Sequence, residues 1–186
     1  VGTLEFLYEN DEFYFMEMNT RIQVEHPVTE MILNYDIVKN QILCHAGLSL
    51  PDWLAEMKPR GHAIECRINA EDPNADFKPA PGTIQTYVSP ENGKTPYLRF
   101  DTHIAEGYKI PPYYDSMIGK LIVHGEDRQT AIARMSEALK RTQVGGVPTT
   151  IELHQRIIDH AGFTSGQYTC QFLGEHMRDL LPQKDA

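Results

Sequence analysis

The apolar positions of the first sixty residues change from an alternating to a helical spacing. Residues 3–9 and 13–18 are β-rich runs on either side of residues 10–12, which predicts a β-hairpin with a three-residue loop. Residues 28–47 place apolar side chains at helical intervals, and Gly47 is of the residue type that commonly ends a helix. We therefore predict a hairpin followed by one long helix.

The remainder of the chain predicts a second unit of short strands and two helices. Residues 48–60 contain two prolines and the one tryptophan and have the composition of a connector. Beyond them, four segments alternate like strands between turn residues, namely 62–69, 83–88, 97–105 and 117–124. Asp127 then has the position of a helix N-cap, and Thr149 or Thr150 has the position of a second one.

These elements together indicate the α+β class and two domains. We expect residues 1–50 to be part of one domain and residues 51–60 to be a connector. Residues 61–180 would form a second domain, and residues 181–186 a polar tail.

Composition and charge exclude several classes of protein. The 186 residues are 41% hydrophobic and 23% charged, as in an ordinary globular chain that can bury a core. No run approaches the roughly 18 consecutive apolar residues of a membrane span, so we expect no membrane contact. A net charge of −9 disfavours a broad nucleic-acid surface. Three widely spaced cysteines indicate neither a disulfide framework nor a zinc ribbon, and they suit a reducing compartment.

The N-terminal residues have the pattern of a strand rather than that of a targeting signal. The chain opens Val-Gly-Thr-Leu-Glu-Phe, with no initiator methionine and no charged region followed by an apolar one. We expect the chain to be part of a longer polypeptide and to reside in the cytoplasm.

Two carboxylates of the predicted hairpin face each other. If Glu9 lies opposite Phe13, the register places Glu5 opposite Glu17 on one face of the hairpin. Facing carboxylates repel unless a cation lies between them, and oxygen ligands of this kind suit Mg²⁺ or Mn²⁺. Asn19, two residues beyond Glu17, adds an amide oxygen to the same face. This arrangement indicates a metal site.

Polar positions continue along the chain beyond the hairpin. If the backbone stays extended, Arg21, Gln23 and Glu25 follow Glu17 on one face, and the opposite face is mostly apolar. Arg21 can hold a planar oxyanion with two hydrogen bonds, Gln23 can donate to the same anion, and Glu25 can accept a proton. The alternative is a solvated strand face on which Glu17 and Arg21 form a weak surface ion pair. The residue pattern alone leaves both interpretations open.

Four segments resemble signature sequences of biotin carboxylases, the ATP-grasp enzymes or subunits of acetyl-CoA, propionyl-CoA, methylcrotonyl-CoA and pyruvate carboxylases. Residues 17–30 read Glu-Met-Asn-Thr-Arg-Ile-Gln-Val-Glu-His-Pro-Val-Thr-Glu, and residues 61–73 read Gly-His-Ala-Ile-Glu-Cys-Arg-Ile-Asn-Ala-Glu-Asp-Pro. Residues 79–82 read Pro-Ala-Pro-Gly, and residues 111–121 read Pro-Pro-Tyr-Tyr-Asp-Ser-Met-Ile-Gly-Lys-Leu. The four segments lie in the order typical of the family and extend over nearly the whole chain.

The resemblance implies a fold and a set of site residues. The fold is the C-terminal portion of an ATP-grasp domain followed by a biotin carboxylase C-terminal domain, an antiparallel sheet with packed helices. The residues implied to hold the divalent cations are Glu5, Glu17 and Asn19. The groups implied to bind bicarbonate are Arg21, Gln23, the backbone amide of Val24, and Glu25. Glu25 is implied to be the general base, and Arg67 is implied to stabilise the enolate of biotin.

The reaction implied by the resemblance is the carboxylation of biotin. Bicarbonate attacks the γ-phosphate of ATP to form carboxyphosphate, which releases carbon dioxide and phosphate; phosphate deprotonates the ureido nitrogen of biotin, which captures the carbon dioxide. The implied cofactors are Mg²⁺ or Mn²⁺ and the biotin of a carrier protein or domain. The implied partners are that carrier, a carboxyltransferase and, in the complete enzyme, a second copy of the chain. Acetyl-CoA carboxylase of fatty acid biosynthesis is one setting, and the residues do not identify the final carboxyl acceptor.

The other acidic, basic, histidine and cysteine residues of note are expected to be mainly structural. Asp115 either orients Arg67 or is a structural carboxylate, and Arg99 is expected at the surface, with a contact to a second subunit as the alternative. The residues expected to be structural are His26, His62 and His103. The residues expected to be small buried apolar groups are Cys44, Cys66 and Cys170. The loop 90–96 differs from the common family version.

Two alternative functions are weighed against this one. A non-catalytic docking or dimerisation module of a carboxylase complex has no need of a base, an anion clamp and facing carboxylates together. Another ATP-grasp ligase, such as carbamoyl phosphate synthetase, resembles the Glu-Met-Asn run but not its Arg-Ile-Gln-Val-Glu-His-Pro continuation. The 186 residues contain no biotinylated Ala-Met-Lys-Met sequence, so we expect the biotin carrier to be a different segment or protein. They also lack the family's glycine-rich ATP loop, and we therefore expect the chain alone to lack carboxylase activity.

Overall fold

The computed structural model describes residues 1–90 and 95–181. Most of the loop 90–96 and of the predicted tail 181–186 lies outside the described residues. The chain divides into two compact units, Val1–Arg60 and Gly61–Ala186.

The first unit begins with a hairpin of strands β1 (Thr3–Glu9) and β2 (Glu12–Asn19). Its loop has two residues, because Asn10 and Asp11 both adopt left-handed conformations, with φ of 51° and 62°. Glu9 consequently pairs with Glu12. The predicted three-residue loop is wrong, and so is the predicted pairing of Glu9 with Phe13.

A bulge restores the predicted register farther along the hairpin. Phe6 pairs with Phe15 and Glu5 pairs with Glu17, so that Met16 is the extra residue on the second strand. The prediction that the two glutamates face each other is therefore confirmed.

Two helices replace the single helix predicted over residues 28–47. Helix α1 spans His26–Leu33 and ends at Asn34, whose φ of 49° is left-handed. Helix α2 spans Ile37–His45, and the Asp36 side chain caps it by accepting a hydrogen bond of 2.7 Å from the Lys39 amide. The prediction failed because an αL residue and an N-cap fall within an otherwise helical apolar pattern. Gly47 follows the end of α2 with a φ of 90°, in agreement with the prediction that the helix ends at this glycine.

Residues beyond α2 pack within the first unit. A 3₁₀ turn spans Asp52–Glu56, the Trp53 ring meets Tyr35 edge-on at 6.0 Å, and the Arg60 amide donates to the Ile32 carbonyl over 2.8 Å. Among residues 1–60, all of which are described, only two are buried, Pro27 and Glu30. This unit therefore contains little apolar core of its own.

The described part of the second unit contains an antiparallel sheet and α-helices, which confirms the α+β class. Its strands are β3 (His62–Asn69), β4 (Glu71–Asp72), β5 (Lys78–Pro79), β6 (Thr86–Val88), β7 (Leu98–Thr102), β8 (Met117–Gly125) and β9 (Gln143–Gly145). Its helices are α3 (Arg128–Arg141), α4 (Ile151–Asp159), α5 (Ala161–Ser165) and α6 (Phe172–Leu180). The main sheet has the order β3-β8-β7, and two-stranded pairs join β4 to β5 and β6 to β9.

The core of the second unit lies between one face of the main sheet and helix α3. The sheet contributes alternate buried residues of β3, namely Ile64, Cys66 and Ile68, together with Phe100, Leu121 and Val123. Helix α3 contributes Ala131, Met135, Ala138 and Leu139, in agreement with the predicted helical stripe. Asp127 caps this helix by accepting a 2.7 Å hydrogen bond from the Thr130 amide, as predicted. Within the described ranges, no helix has the length and apolarity needed to cross a membrane.

The three cysteines differ in their surroundings. Cys66 is buried as predicted, and burial raises the pKa of its thiol to about 12, so that it stays protonated. Cys44 and Cys170 are exposed, and the prediction of burial is wrong for both.

Gly125 lies where the end of β8 meets the start of α3, and the packing there excludes a side chain. A Cβ atom at this position would lie 2.5 Å from the Ala131 amide nitrogen and 2.8 Å from the Asp127 carbonyl oxygen. We expect Gly125→Ala to lower the free energy of unfolding by about 1–3 kcal/mol, because the helix must move away from the strand. Urea unfolding of the chain followed by far-ultraviolet circular dichroism measures this change.

Gly174 provides the matched control because it lies inside helix α6. Apart from the adjoining backbone of its own helix, no heavy atom lies within 4 Å of the position of its added Cβ. Gly174→Ala should therefore leave the stability unchanged or raise it by up to about 1 kcal/mol. Equal urea midpoints for Gly125→Ala and the parent chain would contradict the packing argument.

Candidate functional site

The first unit brings two carboxylates and two amides together at the base of the hairpin. The Asn19 Nδ2 atom donates to Glu5 Oε1 over 2.9 Å and to Glu17 Oε1 over 3.1 Å. The Gln23 Nε2 atom donates to the same Glu5 oxygen over 2.7 Å. The hairpin register and the chain just beyond β2 therefore gather four of the predicted site residues.

The donor set of this cluster fits a hard divalent cation. Glu5 and Glu17 supply carboxylate oxygens from directly paired backbone positions, and Asn19 adds a short amide side chain between them. Asn19 presents its amide nitrogen to the carboxylates, whereas the sequence led us to expect its carbonyl oxygen as a ligand. Among the described residues, no three His, Cys, Asp or Glu side chains group as metal ligands. A cation here would therefore need substrate or water oxygens besides the two carboxylates.

The chain leaves the strand sooner than the alternating pattern predicted. Strand β2 ends at Asn19, and a turn at Val24 and Glu25 leads into α1. The condition of an extended backbone as far as residue 25, on which the shared polar face depended, is therefore not met. The Gln23 carbonyl accepts from the His26 amide over 3.2 Å and lies 2.8 Å from His26 Nδ1, which stabilises this turn.

The predicted anion-binding groups lie around this turn. Arg21 is exposed, and its Nη1 donates to the Ile22 carbonyl over 3.1 Å. Glu25 is exposed at the N-cap position of α1, and its carbonyl accepts from the Val28 amide over 3.1 Å. The first amides of α1 are already engaged, at His26 and Val28, and Pro27 has no N–H, so the helix favours negative charge here through its dipole, together with the nearby charge of Arg21. The arrangement can therefore attract a small anion beside a carboxylate.

The second unit has a charged face on the side of the sheet opposite its core. Arg67 is exposed on β3 and pairs in register with Lys120 on β8. Lys120 pairs in turn with Asp101 on β7, and its Nζ lies 3.7 Å from Asp101 Oδ2. The sequence analysis missed Lys120 and Asp101. The only hint in the sequence was that Lys120 interrupts the apolar run of β8, which marks a polar position on that strand.

Arg99 completes this charged face. Its Nε and Nη2 donate to the two carboxylate oxygens of Asp101 over 2.7 and 2.6 Å. One third of its side chain is exposed, so Arg99 lies at the surface as expected, with its guanidinium held by Asp101.

The other candidates of the second unit have structural contacts. The Asp115 carboxylate accepts from the Met117 amide over 2.7 Å, which supports the structural alternative for this residue. His62 lies 3.3 Å from Arg128 Nη1, and its pKa is lowered by burial and by that guanidinium. The His103 ring packs edge-on against Tyr108 at 5.2 Å.

Comparison with protein families identifies both units. Residues 65–175 match the family described as the biotin carboxylase C-terminal domain. Residues 1–53 match the family described as the carbamoyl-phosphate synthase L chain, ATP binding domain.

Comparison with individual proteins also finds biotin carboxylases. The chain is 53% identical to the biotin carboxylase of Nostoc sp. over 94% of its length, and 50% identical to the chloroplastic biotin carboxylase of Arabidopsis thaliana over 100% of its length. It spans 38% and 34% of those two relatives. A solved structure of the biotin carboxylase domain dimer of Hydrogenobacter thermophilus 2-oxoglutarate carboxylase, in complex with MgADP, ADP and bicarbonate, is 44% identical. It has a TM-score of 0.91, with 98% of this chain and 40% of that one covered. This chain therefore belongs to the biotin carboxylase family.

Proposed function

We propose that this chain supplies metal-, bicarbonate- and biotin-binding residues to an enzyme that carboxylates the biotin of a carrier protein with ATP and bicarbonate. The observation that carries the proposal is the facing pair of Glu5 and Glu17, with the amides of Asn19 and Gln23 between and beside them. The MgADP and bicarbonate in the related Hydrogenobacter structure support the same ligand classes.

In the proposed site, Glu5, Glu17 and Asn19 hold Mg²⁺ or Mn²⁺. The cation would neutralise charge on the phosphates of ATP when it is bound. The residues of this chain keep the two carboxylates at one place on the sheet through strand pairing. Without a cation, the amide of Asn19 reduces the repulsion between the carboxylates by donating to both; with a cation bound, it would turn its carbonyl oxygen toward the metal.

The proposed bicarbonate site is the turn between β2 and α1. The guanidinium of Arg21, the side-chain amide of Gln23 and the backbone amide of Val24 donate to the anion. Glu25 accepts the proton of bicarbonate, and the positive charge of Arg21 offsets the repulsion between this carboxylate and the anion. Gln23 would exchange its present acceptor, Glu5, for the anion.

In the second unit, Arg67 is the proposed partner of the biotin ureido oxygen. An arginine suits this role because its guanidinium keeps its charge and presents N–H groups in a fixed plane. Lys120 adds positive charge at the paired position of the sheet, and Asp101 partly compensates it.

We further propose the domain assignment and the partners that the family resemblance implied. Residues 1–50 belong to an ATP-grasp domain, residues 51–60 form a connector and residues 61–180 form the C-terminal domain. The partners are a biotin carboxyl carrier, a carboxyltransferase and a second copy of the enzyme. A cytoplasmic location stays a prediction, since similar relatives such as that of Arabidopsis thaliana are chloroplastic.

Phosphate release from Mg-ATP tests the proposed function directly. The assay uses a polypeptide that carries this chain at the full length of its relatives, with and without bicarbonate and with and without free biotin. We expect release that requires bicarbonate and rises with biotin, because bicarbonate is the nucleophile and biotin consumes the product. A folded protein that binds ATP but releases no phosphate under any of these conditions would contradict the proposal and favour a docking module.

A further inference from the structure

Strand β3 carries Arg67 on an open edge of the main sheet. It pairs with β8 on one side and is the terminal strand in the order β3-β8-β7. In an antiparallel strand the N–H and C=O of every second residue point to the same side. Those of Arg67 and Asn69 point away from β8, so other groups must satisfy them.

Thr150 satisfies several of these edge groups at once. It is the N-cap residue of α4, only 5% exposed, and its side chain makes no capping hydrogen bond within its own helix. Its hydroxyl donates to the Arg67 carbonyl over 3.2 Å and accepts from the Asn69 amide over 3.0 Å. Its own amide donates to the Asn69 carbonyl over 3.1 Å. Thr150 thus replaces a neighbouring strand along two residues of β3.

His154 lies one turn further along α4 and contacts the same carbonyl. Its Nε2 lies 2.7 Å from the Arg67 oxygen. A carbonyl oxygen only accepts, so Nε2 carries the proton and donates. Burial lowers the pKa of His154, while this hydrogen bond raises it, and the ring is neutral near pH 7. Both lone pairs of the Arg67 carbonyl are therefore used by side chains of α4.

We propose that Thr150 and His154 are positioning residues that fix the main chain of Arg67 and thereby direct its guanidinium to the reacting atoms of biotin. The inference rests on the proposed role of Arg67 and extends it to two residues that are more than 80 positions away in sequence. Neither residue is proposed to touch a substrate. Their hydrogen bonds hold the backbone from which the Arg67 side chain projects.

The effect on catalysis follows from the sensitivity of charge stabilisation to distance. A displacement of about 1 Å at a catalytic group can cost up to about 100-fold in rate. Two charge-neutral hydrogen bonds to one carbonyl restrict such displacement without adding a charge near the site. Bicarbonate activation is proposed to use residues of the first unit only, so it should not depend on this contact.

Matched substitutions separate the hydrogen bonds from the packing. His154→Gln keeps a side-chain N–H at the same number of bonds from the backbone, whereas His154→Phe keeps a ring and removes the donor. Thr150→Ser keeps the hydroxyl, whereas Thr150→Val keeps the shape and removes it. The assays use the polypeptide at the full length of its relatives. They measure biotin carboxylation, bicarbonate-dependent phosphate release without biotin, and amide hydrogen exchange in β3.

We expect the Phe and Val variants to lose biotin carboxylation by about 10- to 100-fold, with phosphate release within about threefold of the parent. Hydrogen exchange in β3 should rise in both, and the Gln and Ser variants should retain most of the parent's carboxylation. Faster exchange with an unchanged ratio of the two activities would overturn the positioning role and leave a structural contact.

The activity of the unsubstituted parent protein distinguishes a failure of this inference from a failure of the proposed function. If the parent shows no bicarbonate-dependent phosphate release, the proposed function and the positioning role both fall, and hydrogen exchange still decides whether the contact restrains β3. If the parent is active but neither Thr150→Val nor His154→Phe changes exchange, the positioning role alone is overturned. The Thr150 pair provides the test if His154→Phe does not fold.

Discussion

Arg67→Ala is expected to lower ATP-dependent carboxylation of biotin by about 10²–10³-fold, while bicarbonate-dependent ATP cleavage stays within about threefold of the parent. The first reaction needs a fixed positive charge at the oxygen of the biotin enolate, and the second does not. The side chain is exposed on the face of the sheet away from the core, so its removal leaves the apolar core of the unit intact. Parallel assays of carboxybiotin formation and phosphate release measure the two rates.

Two further variants show whether the effect belongs to the guanidinium. Arg67→Lys keeps the charge but loses the planar pair of donors, and it should give an intermediate loss of carboxylation. Arg178→Ala removes an exposed arginine of α6 and should change neither reaction. An equal loss of both reactions in Arg67→Ala would contradict the enolate role, because it would place Arg67 before or at the phosphoryl transfer step.

The elements that the sequence predicted best are those whose pattern is local and uninterrupted. Strand β3 was predicted with the observed bounds, since Ile64, Cys66 and Ile68 alternate without a break. Helix α3 was predicted because a capping aspartate precedes a continuous apolar stripe. In this strand and in this helix, a single period of apolar residues determines which face is buried, and the tertiary contacts agree with that face.

The predictions that failed concern places where backbone geometry changes within a continuous pattern. The left-handed Asn34 divides a helix whose apolar stripe continues on both sides. The helix that begins at His26 likewise ends the alternation that would have placed Glu25 on a strand. The facing of Glu5 and Glu17 was predicted correctly because two errors cancel: the loop is one residue shorter than expected, and the bulge adds that residue back.

The contacts that the sequence could not predict join residues that are distant along the chain. Lys120 and Asp101 meet across two strands, and Thr150 contacts β3 from the start of a helix. Sequence analysis placed Thr149 or Thr150 at a helix cap; the structure has Thr150 at the N-cap position, and its hydroxyl bonds to the edge of β3 instead of capping the helix. Such contacts depend on the order of strands in the sheet, which no local pattern specifies.

Glu25→Gln is expected to lower both biotin carboxylation and bicarbonate-dependent ATP cleavage by about 10²–10⁴-fold, the contribution of a general base. The substitution preserves the size of the side chain and removes the carboxylate that accepts the proton. The two reactions should fall together because both need the deprotonated bicarbonate. The same pair of assays measures them, with Glu56→Gln as the control at an exposed glutamate of the same unit.

A structural contribution of Glu25 can be separated from its role as a base. Its backbone carbonyl accepts from the Val28 amide at the start of α1, and the substitution leaves this hydrogen bond in place. Circular dichroism and urea unfolding of Glu25→Gln measure whatever the side chain itself contributes to the fold, and the rates are compared only for folded protein. Near-normal ATP cleavage in a correctly folded Glu25→Gln protein would remove Glu25 from the role of base. A loss confined to biotin carboxylation would instead place Glu25 with Arg67 at the second step, because bicarbonate activation would then proceed without it.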